Sequence, residues 1–176
     1  MKGILKFKAW QLFLLIIIPS SWIPTNALGG VIRLFGLLIA LIWLYSICIY
    51  GQDKRIAIGL PRLNLKFFKI NILTIPVLAI LIYFLSPQSR GESNFKGDDL
   101  REFPFMVVFL YFVFAMFQIT ILAMKTLTTI ELNKEVTFKE YYPNLFYTMV
   151  FIVGIWILQP KVTRLIAGDE SILNSR

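Results

Sequence analysis

The sequence predicts an all-α protein, a polytopic membrane bundle of about five transmembrane helices that forms a single domain over residues 1–176. Of its 176 residues, 57% are hydrophobic and only 16% are charged, and the mean hydropathy is +0.72. A soluble domain of this length needs more polar surface to cover its core. The apolar residues also form runs of helical length, and no Asp, Glu or His interrupts them. Lipid is therefore the predicted solvent.

The first predicted span covers residues 9–23 and follows a basic start. It is short for a hydrocarbon core of roughly 30 Å, but the preceding turn lengthens it if its lysines snorkel. Trp10 and Trp22 are predicted as membrane-interface anchors. A second interpretation is open, because a basic start, an apolar stretch and small residues near Thr25–Ala27 are also typical of a signal peptide. Cleavage or a non-spanning first segment would leave four spans.

Four further apolar runs complete the bundle. The second span is the most uniformly apolar, the third contains Pro76 and the fourth opens with Pro104, a favourable first helical residue. The fifth is predicted to end at Gln159-Pro160. These spans cover residues 31–50, 70–85, 104–124 and 144–158.

The basic residues predict the orientation. With a cytoplasmic N-terminus and five spans, eleven Lys and Arg face the cytoplasm and seven lie on the other side. This bias follows the positive-inside rule. The predicted location is a bacterial cytoplasmic (inner) membrane, with the N-terminus inside and the C-terminus outside. The connection Ser86–Phe103, which holds four acidic residues, is then a solvated external loop.

One face of the second span carries small residues at helical spacing. Gly36 and Ala40 form a small-xxx-small pattern, which allows a second helix to approach closely. Two interpretations are open: packing within the chain, or self-association. The candidate helix-packing face consists of Gly29, Arg33, Gly36 and Ala40.

The fourth helix is predicted to continue to about Leu132 and carries a polar face. Its members are spaced three, seven and four residues apart, so they lie on one side of the helix. Gln118 is costly in hydrocarbon unless it has a partner. An interhelical hydrogen bond and a pore lining in an oligomer are the two interpretations. The candidate polar intramembrane face consists of Ala115, Gln118, Lys125 and Thr129.

Two segments are predicted to form helices at the membrane surface. Thr137 and Glu140 match a capping box, which predicts a helix start before the last span, where Pro143 then produces a kink. The basic and aromatic stretch Leu63–Lys69 is predicted to form a similar surface helix.

The end of the last predicted span has the sequence Gly154-Ile155-Trp156-Ile157-Leu158-Gln159-Pro160-Lys161. With the segment 134–141 before it, this end resembles the C-terminal region of small, uncharacterised bacterial multispan membrane proteins with a Gly-Ile/Val-Trp-x-x-Gln-Pro-Lys/Arg pattern. The resemblance covers about the last 45 residues and implies a fold and a setting, but no activity. Trp156, Lys161 and Arg164 are predicted as interface anchors at the outer headgroups.

The polar residues of the predicted spans offer no catalytic set. Cys48 is the single cysteine and the chain has no histidine, so the sequence predicts no catalytic residue, no metal site and no cofactor. The predicted function is that of a non-enzymatic integral membrane protein, an accessory or scaffold subunit that acts through helix–helix contacts. The alternative is an oligomeric channel or membrane-permeabilising effector. The expected partners are membrane lipid and either itself or another membrane protein, with no nucleic acid.

Overall fold

A computed structural model describes residues 3–21, 27–85 and 103–174. These residues form a short 3-10 helix, Ile4–Lys6, and six α-helices, with no strand in the described ranges. The all-α class predicted from the sequence is therefore confirmed. The helices are α1 (Ala9–Ser21), α2 (Ala27–Ala57), α3 (Lys66–Leu85), α4 (Phe103–Leu132), α5 (Phe138–Met149) and α6 (Phe151–Asn174).

Two helical segments are long and apolar enough to cross a membrane, Gly29–Ala57 and Phe103–Leu132. α1 has a shorter apolar segment, Ala9–Pro19. The number of five spans, and their direction across a membrane, stay predictions. The external connection predicted at 86–103 lies almost entirely outside the described residues.

The helices belong to two compact units. The larger unit contains α1, α2, residues 120–132 of α4, α5 and α6. The smaller unit, Leu65–Ile119, contains α3 and the first part of α4.

The core of the larger unit forms where α1 and α6 pack on neighbouring helices. α1 packs on α2 and also contacts α6. The largest buried side chains include Leu12 of α1, Trp43 and Ile47 of α2, and Leu158 of α6. Removing these side chains from solvent supplies the main packing energy of the unit, about 1.5–3 kcal/mol for each large apolar residue on a water-to-protein scale.

The predicted fifth span, 144–158, is not one helix. α5 ends at Met149, and Val150 (φ −85°, ψ 66°) interrupts the helical conformation before α6 begins at Phe151. Immediately after the break, Gly154 lies so close to α5 that a Cβ there would overlap the carbonyl oxygen of Tyr147. The two helices pack on each other, so this segment is a tight helical turn with glycine at the closest approach.

α6 continues through Gln159-Pro160 to Asn174, so the expected helix end at these residues is wrong. A proline inside a helix removes one backbone hydrogen bond and strains the preceding turn. Leu158 and Val162, on either side of it, are both buried. Their packing holds the two parts of α6 in one helix.

The start of α5 agrees with the sequence prediction, because the capping box of Thr137 and Glu140 is present. The Glu140 carboxylate accepts hydrogen bonds from the Thr137 amide at 2.7 Å and from its hydroxyl at 3.1 Å. Before it, α4 ends at Leu132, as expected, and Asn133 (φ 51°) adopts the left-handed conformation that often closes a helix.

The segment Leu63–Lys69 is not a separate surface helix. Residues 60–65 are not helical, and Lys66 begins the continuous helix α3, which contains Pro76. The apolar run after Lys69 extends the same helix, because no residue between 66 and 85 other than Pro76 disfavours a helix strongly.

Candidate functional site: buried polar networks

The first polar network joins three parts of the larger unit through Gln159. Its amide oxygen accepts a hydrogen bond from the Trp43 indole at 2.8 Å. Its amide nitrogen donates to the backbone carbonyls of Leu5, at 2.9 Å, and Phe7, at 2.6 Å. Since Trp43 and Gln159 are both buried, these bonds satisfy polar groups that would otherwise be costly. Gln159 therefore attaches the N-terminal segment to α2 and α6.

The second network surrounds Arg55, whose side chain is only 1% exposed at the end of α2. Its Nε donates to the carbonyl of Pro61 at 3.1 Å, and its Nη1 reaches the hydroxyl of Thr129 at 3.5 Å. Its Nη2 lies 3.6 Å from a carboxylate oxygen of Glu135. The other oxygen of Glu135 lies 3.5 Å from Nζ of Lys125. One half-exposed carboxylate thus pairs with two cations.

A third network lies on the same stretch of α4 and contains Lys161 of α6. Its Nζ lies 3.4 Å from Glu131 and donates to Oδ1 of Asn144 at 3.1 Å. The Nδ2 atom of Asn144 donates to the hydroxyl of Thr128 at 2.9 Å. The second and third networks together contain three cations and two carboxylates. Most of their charge is therefore neutralised by ion pairs within the networks.

These networks bind helices together through hydrogen bonds and ion pairs. In the described part of the chain, no three His, Cys, Asp or Glu side chains are grouped to hold a metal ion. The Cys48 thiol is buried, and it has a hydrogen bond with the Thr126 side chain. A crevice between α2, α4 and α6 is apolar apart from Tyr50; it is lined by Ile47, Tyr50, Leu127, Ile130, Val162 and Leu165.

The smaller unit has a polar group of its own, which we call the amide triad: Asn71, Tyr111 and Gln118. Asn71 of α3 donates from Nδ2 to Oε1 of Gln118 on α4. The hydroxyl of Tyr111, also on α4, donates to Oδ1 of Asn71 at 3.2 Å. Asn71 is buried, while Gln118 is partly exposed and Tyr111 is exposed. The triad links α3 to α4 and presents one of its amides at the surface.

The candidate packing face on α2 is occupied within the chain at Gly36. A Cβ at Gly36 would lie 3.0 Å from the Ile16 carbonyl oxygen and 3.2 Å from Cβ of Pro19, so α1 packs directly on this glycine. Gly29 and Ala40 are also buried, whereas Arg33 is exposed. Of the two interpretations of this face, packing within the chain is the one for which the structure provides a partner.

Gly51, where α2 approaches α4 closely, is a packing position that the sequence pattern did not indicate. A Cβ at this position would overlap the Thr126 methyl group. Gly51 lies after the apolar run and is followed by charged residues. It therefore resembles a helix-ending glycine, and only its spacing of fifteen residues from Gly36 on a continuous helix could have suggested packing.

The candidate polar face on α4 is divided between the two units. In the smaller unit, Ala115 is buried and Gln118 has Asn71 as its partner. In the larger unit, the Thr129 hydroxyl donates to the Lys125 carbonyl at 2.8 Å, and Lys125 pairs with Glu135. The interhelical hydrogen bond expected for Gln118 is therefore present, and the pore interpretation is untested.

The predicted interface anchors have different surroundings. Trp10, Trp156 and Arg164 are exposed, with the Trp156 ring 6.1 Å from that of Phe13. Trp22 lies outside the described residues. Lys161 pairs with Glu131.

The contacts of Gln159 do not agree with an outer position for Lys161. Gln159 binds the carbonyls of Leu5 and Phe7, so the adjoining part of α6 lies beside the N-terminal segment. The predicted orientation places Lys161 across the membrane from the N-terminal lysines. The break at Val150 allows α6 to pack on α5, and the number of spans stays a prediction.

These features define a class of protein: an all-helical bundle with two helices long and apolar enough to cross a membrane, joined by buried amide and ion-pair networks. No family model, curated protein or solved structure matches the chain. Its function is therefore argued from its own residues.

Proposed function

We propose that this chain is a non-enzymatic, multi-pass protein of a bacterial cytoplasmic membrane and that it acts as an accessory or scaffold subunit through helix–helix contacts. The observation that carries the proposal is the apolar surface of the smaller unit, with the Gln118 amide within it. The cytoplasmic N-terminus follows from the distribution of Lys and Arg. The bacterial setting rests on the resemblance of segment 154–161.

Lipid as the solvent of the smaller unit accounts for its exposed side chains. Leu73 of α3 is 74% exposed and Leu110 of α4 is 62% exposed. Further exposed side chains on α4 include Val107, Phe114 and Phe117. A continuous apolar surface of this kind is unfavourable in water and is typical of contact with lipid or with another protein.

Helix–helix contact is favoured over lipid contact alone because of Gln118. Lipid tails offer no hydrogen-bond acceptor, so a partly exposed amide on a spanning helix is best satisfied by protein. In the larger unit, the close-packing positions Gly36 and Gly51 already meet α1 and α4. The smaller unit therefore supplies the surface for a partner in this proposal.

The oligomeric channel is the second candidate, and the contacts of the α4 polar residues favour it less. Gln118 binds Asn71, and Lys125 is paired with Glu135. A water path along this face would need polar groups that remain available to water or ions. The channel proposal predicts that bacteria depolarise when they express the chain, and that Gln118→Leu prevents this without reducing membrane insertion.

A photocrosslinking experiment in intact bacterial membranes tests the helix-contact proposal. A benzophenone amino acid would replace Leu73 or Leu110 in the full chain, and Leu44, buried in the larger unit, would serve as the control position. We expect discrete protein–protein adducts from at least one exposed position and none from Leu44. Adducts with lipid alone from both exposed positions would overturn the proposed function.

A further inference from the structure

We infer that a second copy of this chain docks on one stripe of α4, with the two Gln118 side chains paired across the contact. This α4 stripe consists of Val107, Tyr111, Phe114 and Gln118. The inference rests on the proposed function and names its partner. It depends on the spacing of the stripe, on its hydrogen-bonding capacity and on its lack of charge.

The spacing of the α4 stripe is that of a helix–helix seam. Its members are separated by four, three and four residues, which is the a/d pattern of two helices that cross at a shallow angle. Val107, Tyr111 and Phe114 are exposed, and Gln118 is partly exposed. All four belong to the smaller unit, so the stripe lies within one unit.

Among the residues that the structure describes, the α4 stripe lacks a hydrogen-bond acceptor for the amide nitrogen of Gln118. A glutamine amide has two N–H donors and an oxygen with two lone pairs. Asn71 uses one of these lone pairs, and the described structure gives the Gln118 nitrogen no acceptor. Gln118 lies near the middle of α4, Phe103–Leu132, the part of a spanning helix that is farthest from water. The open donors therefore require an acceptor from protein.

A second copy supplies an acceptor for one of these donors with the same residue. Around a two-fold axis, Nε2 of each Gln118 donates to the remaining lone pair of the other Oε1, so two bonds form at once. A two-fold contact brings a surface against itself, and an amide is its own complement. Such a polar side chain within an apolar seam also fixes the register of the two helices.

The charge of the surface does not oppose self-association. The chain has a net charge of +8, and identical surfaces that carry net charge repel each other. Residues 103–119, which contain the stripe, include no charged side chain. The stripe can therefore approach its own copy without placing like charges together.

Disulfide crosslinking in isolated membranes tests the contact. Cys48 is the only cysteine, so a Cys48→Ser chain is a clean background for Phe114→Cys on the stripe. Phe109→Cys is the matched control, because Phe109 is also exposed but lies nine residues from Gln118, on the opposite side of the helix. With a membrane-permeable oxidant, we expect a disulfide-linked dimer from Phe114→Cys and little from Phe109→Cys.

Two further substitutions separate the intermolecular amide pair from the amide triad. Gln118→Leu in the Phe114→Cys chain should lower the dimer fraction roughly three- to tenfold, because the two hydrogen bonds across the contact are lost. Gln118→Asn should restore part of it. Asn71→Leu breaks the triad but keeps the Gln118 amide, so it should leave the dimer fraction nearly unchanged in chains that insert normally.

The outcomes distinguish this inference from the proposed function. Equal crosslinking from Phe114→Cys and Phe109→Cys would indicate random collision and overturn the self-contact, as would insensitivity to Gln118→Leu. A photocrosslinked adduct with a different protein, without any self-dimer, would overturn the inference and leave the helix-contact function standing. An absence of protein adducts in both experiments would overturn both.

Discussion

Trp43 and Gln159, 116 positions apart, are joined by a hydrogen bond of 2.8 Å from the indole Nε1 to the amide Oε1. The same amide donates to the carbonyls of Leu5 and Phe7. A single side chain of α6 thus satisfies a buried indole of α2 and two backbone acceptors of the N-terminal segment. The exchange of either side chain, Trp43 or Gln159, for an apolar residue leaves a polar group in the core without its partner.

Gln159→Leu is expected to destabilise the protein through the groups it leaves unpaired. Each buried polar group without a partner costs about 1–3 kcal/mol, and this substitution frees the Trp43 indole and the two carbonyls. The expected result is a lower midpoint of thermal unfolding in detergent. Trp43→Phe leaves one polar group, the Gln159 amide oxygen, without its partner and also removes part of a buried ring, so it should lower the midpoint as well.

The double variant of these two residues is the control. Because both changes remove the same hydrogen bond, the destabilisation of Trp43→Phe and Gln159→Leu together should be smaller than the sum of the single effects. Additive losses would contradict a direct interaction between the two side chains.

Gly51→Ala is expected to destabilise the contact of α2 with α4. A methyl group at position 51 would overlap the methyl of Thr126, whose hydroxyl is held by a hydrogen bond of 2.7 Å to the Leu122 carbonyl. Thr126 therefore has little freedom to move. Overpacking of this kind typically costs about 1–3 kcal/mol, measurable as a lower unfolding midpoint in detergent.

Gly3→Ala is the matched control for this prediction, because a Cβ at Gly3 would have no atom within 4 Å. It should leave the unfolding midpoint almost unchanged. A Gly51→Ala protein as stable as the Gly3→Ala protein would show that α2 and α4 do not approach each other this closely.

Glu140 is expected to give the start of α5 a dependence on pH. The hydrogen bond from Lys134, followed by that from the Thr137 amide, lowers the pKa of Glu140 from 4.5 to about 2. Since the folded pKa lies below the ordinary value, the stabilisation is fully present above about pH 4.5 and is lost as the pH falls toward 2. The check is an NMR titration of the Glu140 carboxyl in detergent micelles.

Lys134→Met should raise the pKa of Glu140 toward its ordinary value, because it removes the largest cause of the shift. Lys139→Met removes a neighbouring lysine that forms no bond with Glu140 and should leave that pKa low. Equal responses to the two substitutions would assign the effect to general positive charge instead of the Lys134 contact.

Features that depend on nearby residues were predictable from the sequence. The capping box of Thr137 and Glu140 has its partners three residues apart, and the end of α4 near Leu132 follows from the polar segment after it. Both are present in the structure. The close approach at Gly36 was also predictable as a position, because small residues at helical spacing mark a packing face. Its partner, α1, was not predictable, because packing within the chain and self-association were both open and neither specified a helix.

The break at Val150 could not be predicted from neighbouring residues in the sequence. The apolar run 144–158 satisfies the composition of a span, and neither Val150 nor the preceding Met149 has a strong tendency to end a helix. The apolar pattern places Gly154 near the end of a span, whereas in the structure Gly154 lies in close contact with α5. The turn depends on contacts between α5 and α6, and the spacing of apolar residues does not predict these contacts.

The sequence by itself determined the helical class, the apolar character of the helices and the local start of α5, because composition, helical spacing and capping act over a few neighbouring residues. Only the tertiary structure decided that Gln159 binds Trp43 and the N-terminal carbonyls, that Gln118 binds Asn71, and that Lys161 pairs with Glu131. Each of these side chains needs a partner once it leaves water. The sequence shows which polar side chains need a partner, but the packing of helices that are distant in sequence determines which residue that partner is.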